Sequence, residues 1–188
     1  MNGQAGNPGK VKFSHKKYYS FRNKINTKFS EKYFSDMQIG LVSQILMFGD
    51  TQPATVVSTA PLLIAAYSDE MDGVVMLRFD ESFAARYDLH PGDRLTASCV
   101  YFGGTKVAQD IFNGAGWTHN FANFAPIIQL FLGKKDDKIR EKTALFPEET
   151  WEKVAALAAA YREKHPDLVR DGLAFFKKEN NPLYGGQQ

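Results

Sequence analysis

Residues 54–79 read ATVVSTAPLLIAAY, then SDEMDG, then VVMLRF. The two outer runs are β-branched and apolar, and the middle is a six-residue polar turn. Such a pattern spells two strands joined as an antiparallel hairpin. Pro61 interrupts the first run. Proline has no N–H for a ladder, so the first run is expected at an edge, at a bulge, or split into two strands.

Moving outward, residues 81–87 read as a short helix or turn, and 89–93 (LHPGD) as a Pro-Gly turn. Residues 94–102 (RLTASCVYF) are a third strand, with Leu95, Ala97, Cys99 and Tyr101 on one face. Gly103 and Gly104 punctuate it, and a short polar segment returns as a further strand. Before the sheet, Ser35 or Asp36 caps a helix whose face is Met37, Leu41, Ile45 and Phe48, stopped at Gly49. After it, residues 121–132 read as an apolar helix started or kinked at Pro126. Phe146, Pro147, Glu148 and Glu149 open a helix running to about Lys164, and Pro166 starts another. The expected class is α+β: a small antiparallel sheet or partial barrel over about residues 54–110, with an N-terminal helix and C-terminal helices.

The chain of 188 residues is the size of one domain, and its 44% hydrophobic content supports a real core. Its +2 charge is uneven. Residues 1–35 hold Lys10, Lys12, Lys16, Lys17, Arg22, Lys24, Lys28 and Lys32 against Glu31, a balance of +7 that leaves −5 for the remainder. We divide the chain into a basic, aromatic-rich arm (1–35, its first nine residues disordered), one α+β domain (36–180) and a frayed tail (181–188). Within the arm, Tyr18, Phe21, Ile25, Phe29 and Tyr33 recur at helical spacing.

The lone Cys99 forbids an internal disulfide, no apolar leader opens the chain, and no apolar run reaches the length of a bilayer span. The expected location is the cytoplasm. No cofactor is expected.

Cys99 falls on the apolar face of a strand, which suits a core thiol better than a catalytic one. His15, His90, His119 and His165 are isolated, so zinc spacing is absent and no metal is expected. The turn Asp69, Glu70, Asp72, Gly73 fails the calcium-loop frame, because its twelfth position is Phe79. It reads as a solvated turn. Gly103-Gly104-Thr105-Lys106 lacks the phosphate-loop frame.

Two regions remain. The Gly-rich loop 103–123 gathers polar and aromatic groups, with Trp117, His119 and Asn120 as a ligand site. His119, Asp110 and Lys106 are its candidate catalytic residues, with Asp110 or Asp93 orienting His119 as a general base. In the arm, Lys12, Lys16, Lys17, Arg22, Lys24 and Lys28 are candidate contacts for a nucleic acid or other polyanion, with aromatics to stack on bases. The same arm could lie on an anionic membrane, or dock on its own body. The preferred reading is a non-enzymatic binding or regulatory domain meeting an anionic partner through residues 10–34. One alternative is a small hydrolase-like enzyme using loop 103–123. Another is a self-associating protein joined through helix 121–132 or the alanine face of 147–164.

Overall fold

The run containing Pro61 folds as two strands, β1 (Asp50–Thr59) and β2 (Leu62–Ser68), with a register shift between Val56 and Ser58. The polar turn then leads to β3 (Gly73–Phe79), completing the hairpin. This is a computed structural model that describes residues 6–118 and 120–183. The fold is α+β. Its antiparallel sheet, curled as a half-barrel, continues through β4 (Arg94–Phe102), β5 (Ile111–Asn113) and β6 (Asn123–Ile128) in the order β5-β3-β2-β1-β4-β6. A two-residue strand, β7 (Arg170–Asp171), runs parallel to β3. The sheet therefore reaches well beyond residues 54–110.

Alternation along the strands separates two cores. Ala54, Val56, Ile64, Ala66, Val75, Leu77, Leu95, Ala97 and Cys99 belong to the larger one. They share it with α1 (His15–Ile25), α2 (Phe29–Phe48), α3 (Ser82–Tyr87) and α4 (Gln129–Leu132), through Tyr18, Phe21, Val42, Phe83 and Phe131. A chain of rings knits these elements: Phe21 to Phe83 at 5.3 Å, Phe83 to Phe131 at 4.8 Å and Phe79 to Phe131 at 4.8 Å. The opposite residues Leu63, Ala65, Tyr67, Val74 and Met76 pack on Val154, Ala158 and Tyr161 of α6 (Glu148–Lys164). Between α4 and α6 lie α5 (Asp136–Glu141) and a 3-10 turn.

Several expectations change. The apolar helix expected over 121–132 is instead β6 followed by the single turn α4. β6 is the last strand in the order, so Pro126 faces no missing partner on its outer side. Leu130, Phe131 and Leu132, which the expected self-association face would have presented, are buried within the chain. The helix expected after Pro166 is replaced by β7 and a 3-10 turn, because β3 still has a free edge beside Leu77 and Arg78 that captures Arg170 and Asp171.

The arm is not separate from the body. α2 crosses the expected boundary at 35/36 without interruption, and α1 is separated from it at Asn26–Lys28. Of the expected disordered start, residues 1–5 lie outside the described residues. Residues 7–9 are paired: the Thr51 N–H donates to the Asn7 carbonyl, and the Gly9 N–H to the Gly49 carbonyl. Gly9 fits because a Cβ there would stand 2.2 Å from the Leu46 carbonyl oxygen. In the expected frayed tail, Asn181 is buried and donates to the Phe175 carbonyl; residues 184–188 lie outside the described residues. No helix among the described residues is long and apolar enough to cross a membrane.

Candidate functional site

The arm divides its aromatic residues between core and surface. Phe13, Tyr18 and Phe21 are buried, whereas Tyr19, Phe29 and Tyr33 are 49%, 84% and 61% exposed. The division follows from helix geometry. α2 buries Ser35, Gln38, Val42, Ile45 and Leu46, which turns Phe29, Tyr33 and Met37 outward on successive turns. Ser35 explains the inward choice in part. Its hydroxyl bonds the Phe176 carbonyl and accepts from the Asn26 side-chain amide, pinning this face to the C-terminal segment.

The six expected anion contacts separate in the same way. Lys12, Lys16, Lys24 and Lys28 are exposed. Lys17 and Arg22 are engaged internally. The Lys17 ammonium donates to the Leu130 carbonyl at 2.5 Å and to Asp136 at 2.6 Å. Burial lowers its pKa, and Asp136 offsets part of that shift. Arg22 pairs with Asp36 at 2.5 Å, and Tyr18 donates its hydroxyl to the same carboxylate at 2.8 Å.

Loop 103–123 is more structured than its glycines suggest, since β5 lies within it. Asp110 does not serve as a free acid. Its carboxylate takes a two-pronged bond from Arg170, at 2.8 and 2.6 Å. Arg170 also donates to the Phe124 carbonyl and to Asn123, so it ties β5, β6 and β7 together. Lys106 and Asn120 are exposed, and the Trp117 indole N–H donates to the Phe121 carbonyl at 3.3 Å. His119 lies outside the described residues. An Arg170→Lys change keeps the charge but loses the planar fork. It is expected to cost about 1–2 kcal/mol, read as a lower urea midpoint with an unchanged slope.

Nor is the turn Asp69–Gly73 simply solvated. Asp72 is 3% exposed. Its carboxylate accepts from the Tyr67 hydroxyl at 2.8 Å, the Lys153 ammonium at 2.6 Å and the Gly116 N–H at 2.6 Å. Gly114 and Gly116 make that approach feasible, because a Cβ on either would meet the Asp72 carboxylate at 2.6 or 2.8 Å. Burial alone would raise the Asp72 pKa, but Lys153, Tyr67 and Gly116 together hold it below the usual value.

Next to it lies a second carboxylate cluster. The Gln52 amide donates to Asp50 at 2.5 Å and to Asp69 at 2.6 Å. The Tyr101 hydroxyl donates to Asp50 at 3.1 Å. Loss of solvent, with the Asp50 charge second, pushes the Asp69 pKa up. Gln52, Tyr67 and Asp69 line a hollow of about 250 Å³ with Phe146, Glu149, Thr150 and Lys153. The alternation of Asp50 and Gln52 with Thr51 along β1 was the available signal for this cluster. Lys153 carried none, because its role depends on where α6 crosses the sheet.

Cys99 is a core thiol, and burial raises its pKa far above the ordinary value. Among the described residues, no group of three or more His, Cys, Asp or Glu side chains could hold a metal ion. Comparison of the chain with family models, curated proteins and solved structures found no match.

Proposed function

We propose that the protein is a binding domain for single-stranded nucleic acid, and that the outer face of α1 and α2 is its contact surface. The observation that carries this reading is the exposure of Phe29 and Tyr33, one helical turn apart, with the exposed Lys28 directly before Phe29 in the chain. Phe29 and Tyr33 are separated by about 6 Å of helix rise. That spacing lets consecutive unpaired bases stack on them. Lys12, Lys16, Lys24 and Lys28 supply charge for the phosphates. Lys17 and Arg22 hold the surface to the body instead of touching ligand. Stacking requires open base faces, so the surface suits single strands and not a duplex.

The test is fluorescence anisotropy of labelled oligo(dT) with the full chain across a salt series. The dissociation constant should rise steeply with salt, with a log–log slope of roughly 3 for four neutralised phosphates. Phe29→Ala and Tyr33→Ala should each weaken binding by about 10-fold or more, while circular dichroism stays unchanged because both rings are exposed. An absence of anisotropy change at low salt would overturn the proposal. So would binding that both substitutions leave untouched. If vesicles of anionic lipid capture the protein and the oligonucleotide does not, the face is a membrane-interface surface instead.

A further inference from the structure

The outer face of α2 is free of unpaired charge from end to end, and the nucleic-acid reading uses only its first turns. We infer that this face is self-complementary, and that a second copy of the chain docks on it, α2 against α2, antiparallel about a two-fold axis near Met37 and Gly40.

The face is of the wrong composition for water. Besides Ser30, the exposed residues of α2 are Phe29, Tyr33, Met37, Gly40, Gln44 and Phe48. The charged residues of the helix, Glu31, Lys32 and Asp36, are half-buried to the sides, and Asp36 is paired with Arg22. A surface helix ordinarily turns its charges outward. Here Met37 and Phe48 are 56% and 69% exposed, in line with Phe29 and Tyr33. At roughly 200 Å² for a fully exposed large side chain, these four offer about 550 Å². Monomeric proteins rarely leave so large an apolar patch uncovered unless it serves an interaction. Two copies together bring about 1,100 Å², close to the 1,200 Å² or so at which specific interfaces begin.

Gly40 is an independent sign of a close neighbour. Glycine in the middle of a helix is destabilising, and it is kept where another backbone must come near. Nothing in its own chain needs that room, because a Cβ at Gly40 would meet nothing within 4 Å.

The spacing along the face selects a second copy as the occupant. From Phe29 the steps to Tyr33, Met37, Gly40, Gln44 and Phe48 are 4, 4, 3, 4 and 4 residues. The series reads the same in both directions, which lets the stripe lie antiparallel on its own copy with every contact made twice. In that register Phe29 meets Phe48, Tyr33 meets Gln44, and Met37 enters the gap left by Gly40. The pairs agree in chemistry: ring on ring, hydroxyl on amide, and a flexible thioether in the open space. Because Phe29 and Tyr33 also hold the bases in the preceding proposal, dimer and oligonucleotide compete for one face. That competition rests on the nucleic-acid reading; the dimer does not.

The experiment is sedimentation velocity of the full chain from low micromolar to submillimolar concentration. The weight-average mass should rise from that of one chain toward that of two. Gly40→Gln and Phe48→Ala should each weaken the dimer by at least about 10-fold. Both sites are exposed, so circular dichroism should stay unchanged, and Phe48→Ala should leave oligo(dT) binding intact. The register is read by mixing Tyr33→Cys with Gln44→Cys under mild oxidation, since the buried Cys99 does not interfere. The mixture should cross-link more than either variant alone. A mass that stays at one chain throughout would overturn the inference. So would a dimer that both substitutions leave intact, or cross-linking as strong in each variant alone as in the mixture. A monomer captured by vesicles of neutral lipid would assign the face to a membrane and equally overturn it. If the dimer forms and oligo(dT) fails to bind, the nucleic-acid reading falls and this inference stands. Oligonucleotide binding by a strict monomer is the reverse outcome.

Discussion

Asp72→Ala is expected to lower the stability of the protein by about 3 kcal/mol, the low end for breaking a buried ion pair. The low end applies because Lys153 is half exposed and can turn toward water when its partner is lost. The buried Tyr67 hydroxyl has no such escape, and the Gly116 N–H loses its acceptor. For a chain of this length the loss corresponds to a melting temperature lower by roughly 6–12 °C. The pH dependence gives a second reading of the same group. The folded-state pKa of Asp72 is lowered, so its contribution is fully present above the unfolded-state pKa. That contribution disappears as pH falls through the lower, folded-state value. The gap in unfolding free energy between the natural chain and Asp72→Asn should therefore be widest near neutrality and close on acidification. A gap that stays constant with pH would show that the charge of Asp72 contributes nothing and that only its shape matters.

Gly172→Val should be comparably damaging for a steric reason. A Cβ at Gly172 would lie 2.1, 2.3 and 2.5 Å from three carbons of the Phe79 ring. Neither side can yield cheaply. The Gly172 N–H is fixed to the Arg78 carbonyl at 2.9 Å, and the buried Phe79 ring stands edge-on to Phe131 at 4.8 Å. Overpacking of this kind costs about 3 kcal/mol when the neighbours are themselves packed. Chemical denaturation with Gly40→Ala as the control checks it, because a Cβ at Gly40 meets nothing within 4 Å. If Gly172→Val unfolds at the same denaturant concentration as the control, the close packing of β7 on β3 is not a stabilising feature.

Both residues show what a linear reading can reach. Asp72 stands in a turn whose composition is polar, and composition predicts solvent. Its burial comes from the loop after β5 and from α6, whose residues 114, 116 and 153 are distant in sequence and converge on one carboxylate. Gly172 gave no signal, because its neighbour Phe79 is reached only through the parallel pairing of β7 with β3. Asp110 and Arg170 are a similar case. Asp110 looked free in the chain, and it meets Arg170 because β5 and β7 both pair with β3. Asp110, an acid expected to orient His119, is thus held by Arg170.

Local patterning by itself determined the α+β class, the β2–β3 hairpin, the strand at 94–102 with Cys99 facing inward, and the α6 start after Pro147. In each case period and capping act between residues close in sequence, so nothing distant is needed to decide them. The basic, aromatic character of the arm was equally legible. Tertiary structure decided which of its rings face water. Phe21 and Phe29 have the same helical period, but only Phe21 finds Phe83 beneath it. Tertiary structure also turned 123–128 into a strand, because the open edge of β4 offers six partners to an apolar run that helical periodicity alone would have coiled. Hydrogen bonds to a neighbouring strand and burial against a second element are energies that no single segment contains, and they settle the cases that local propensity leaves close.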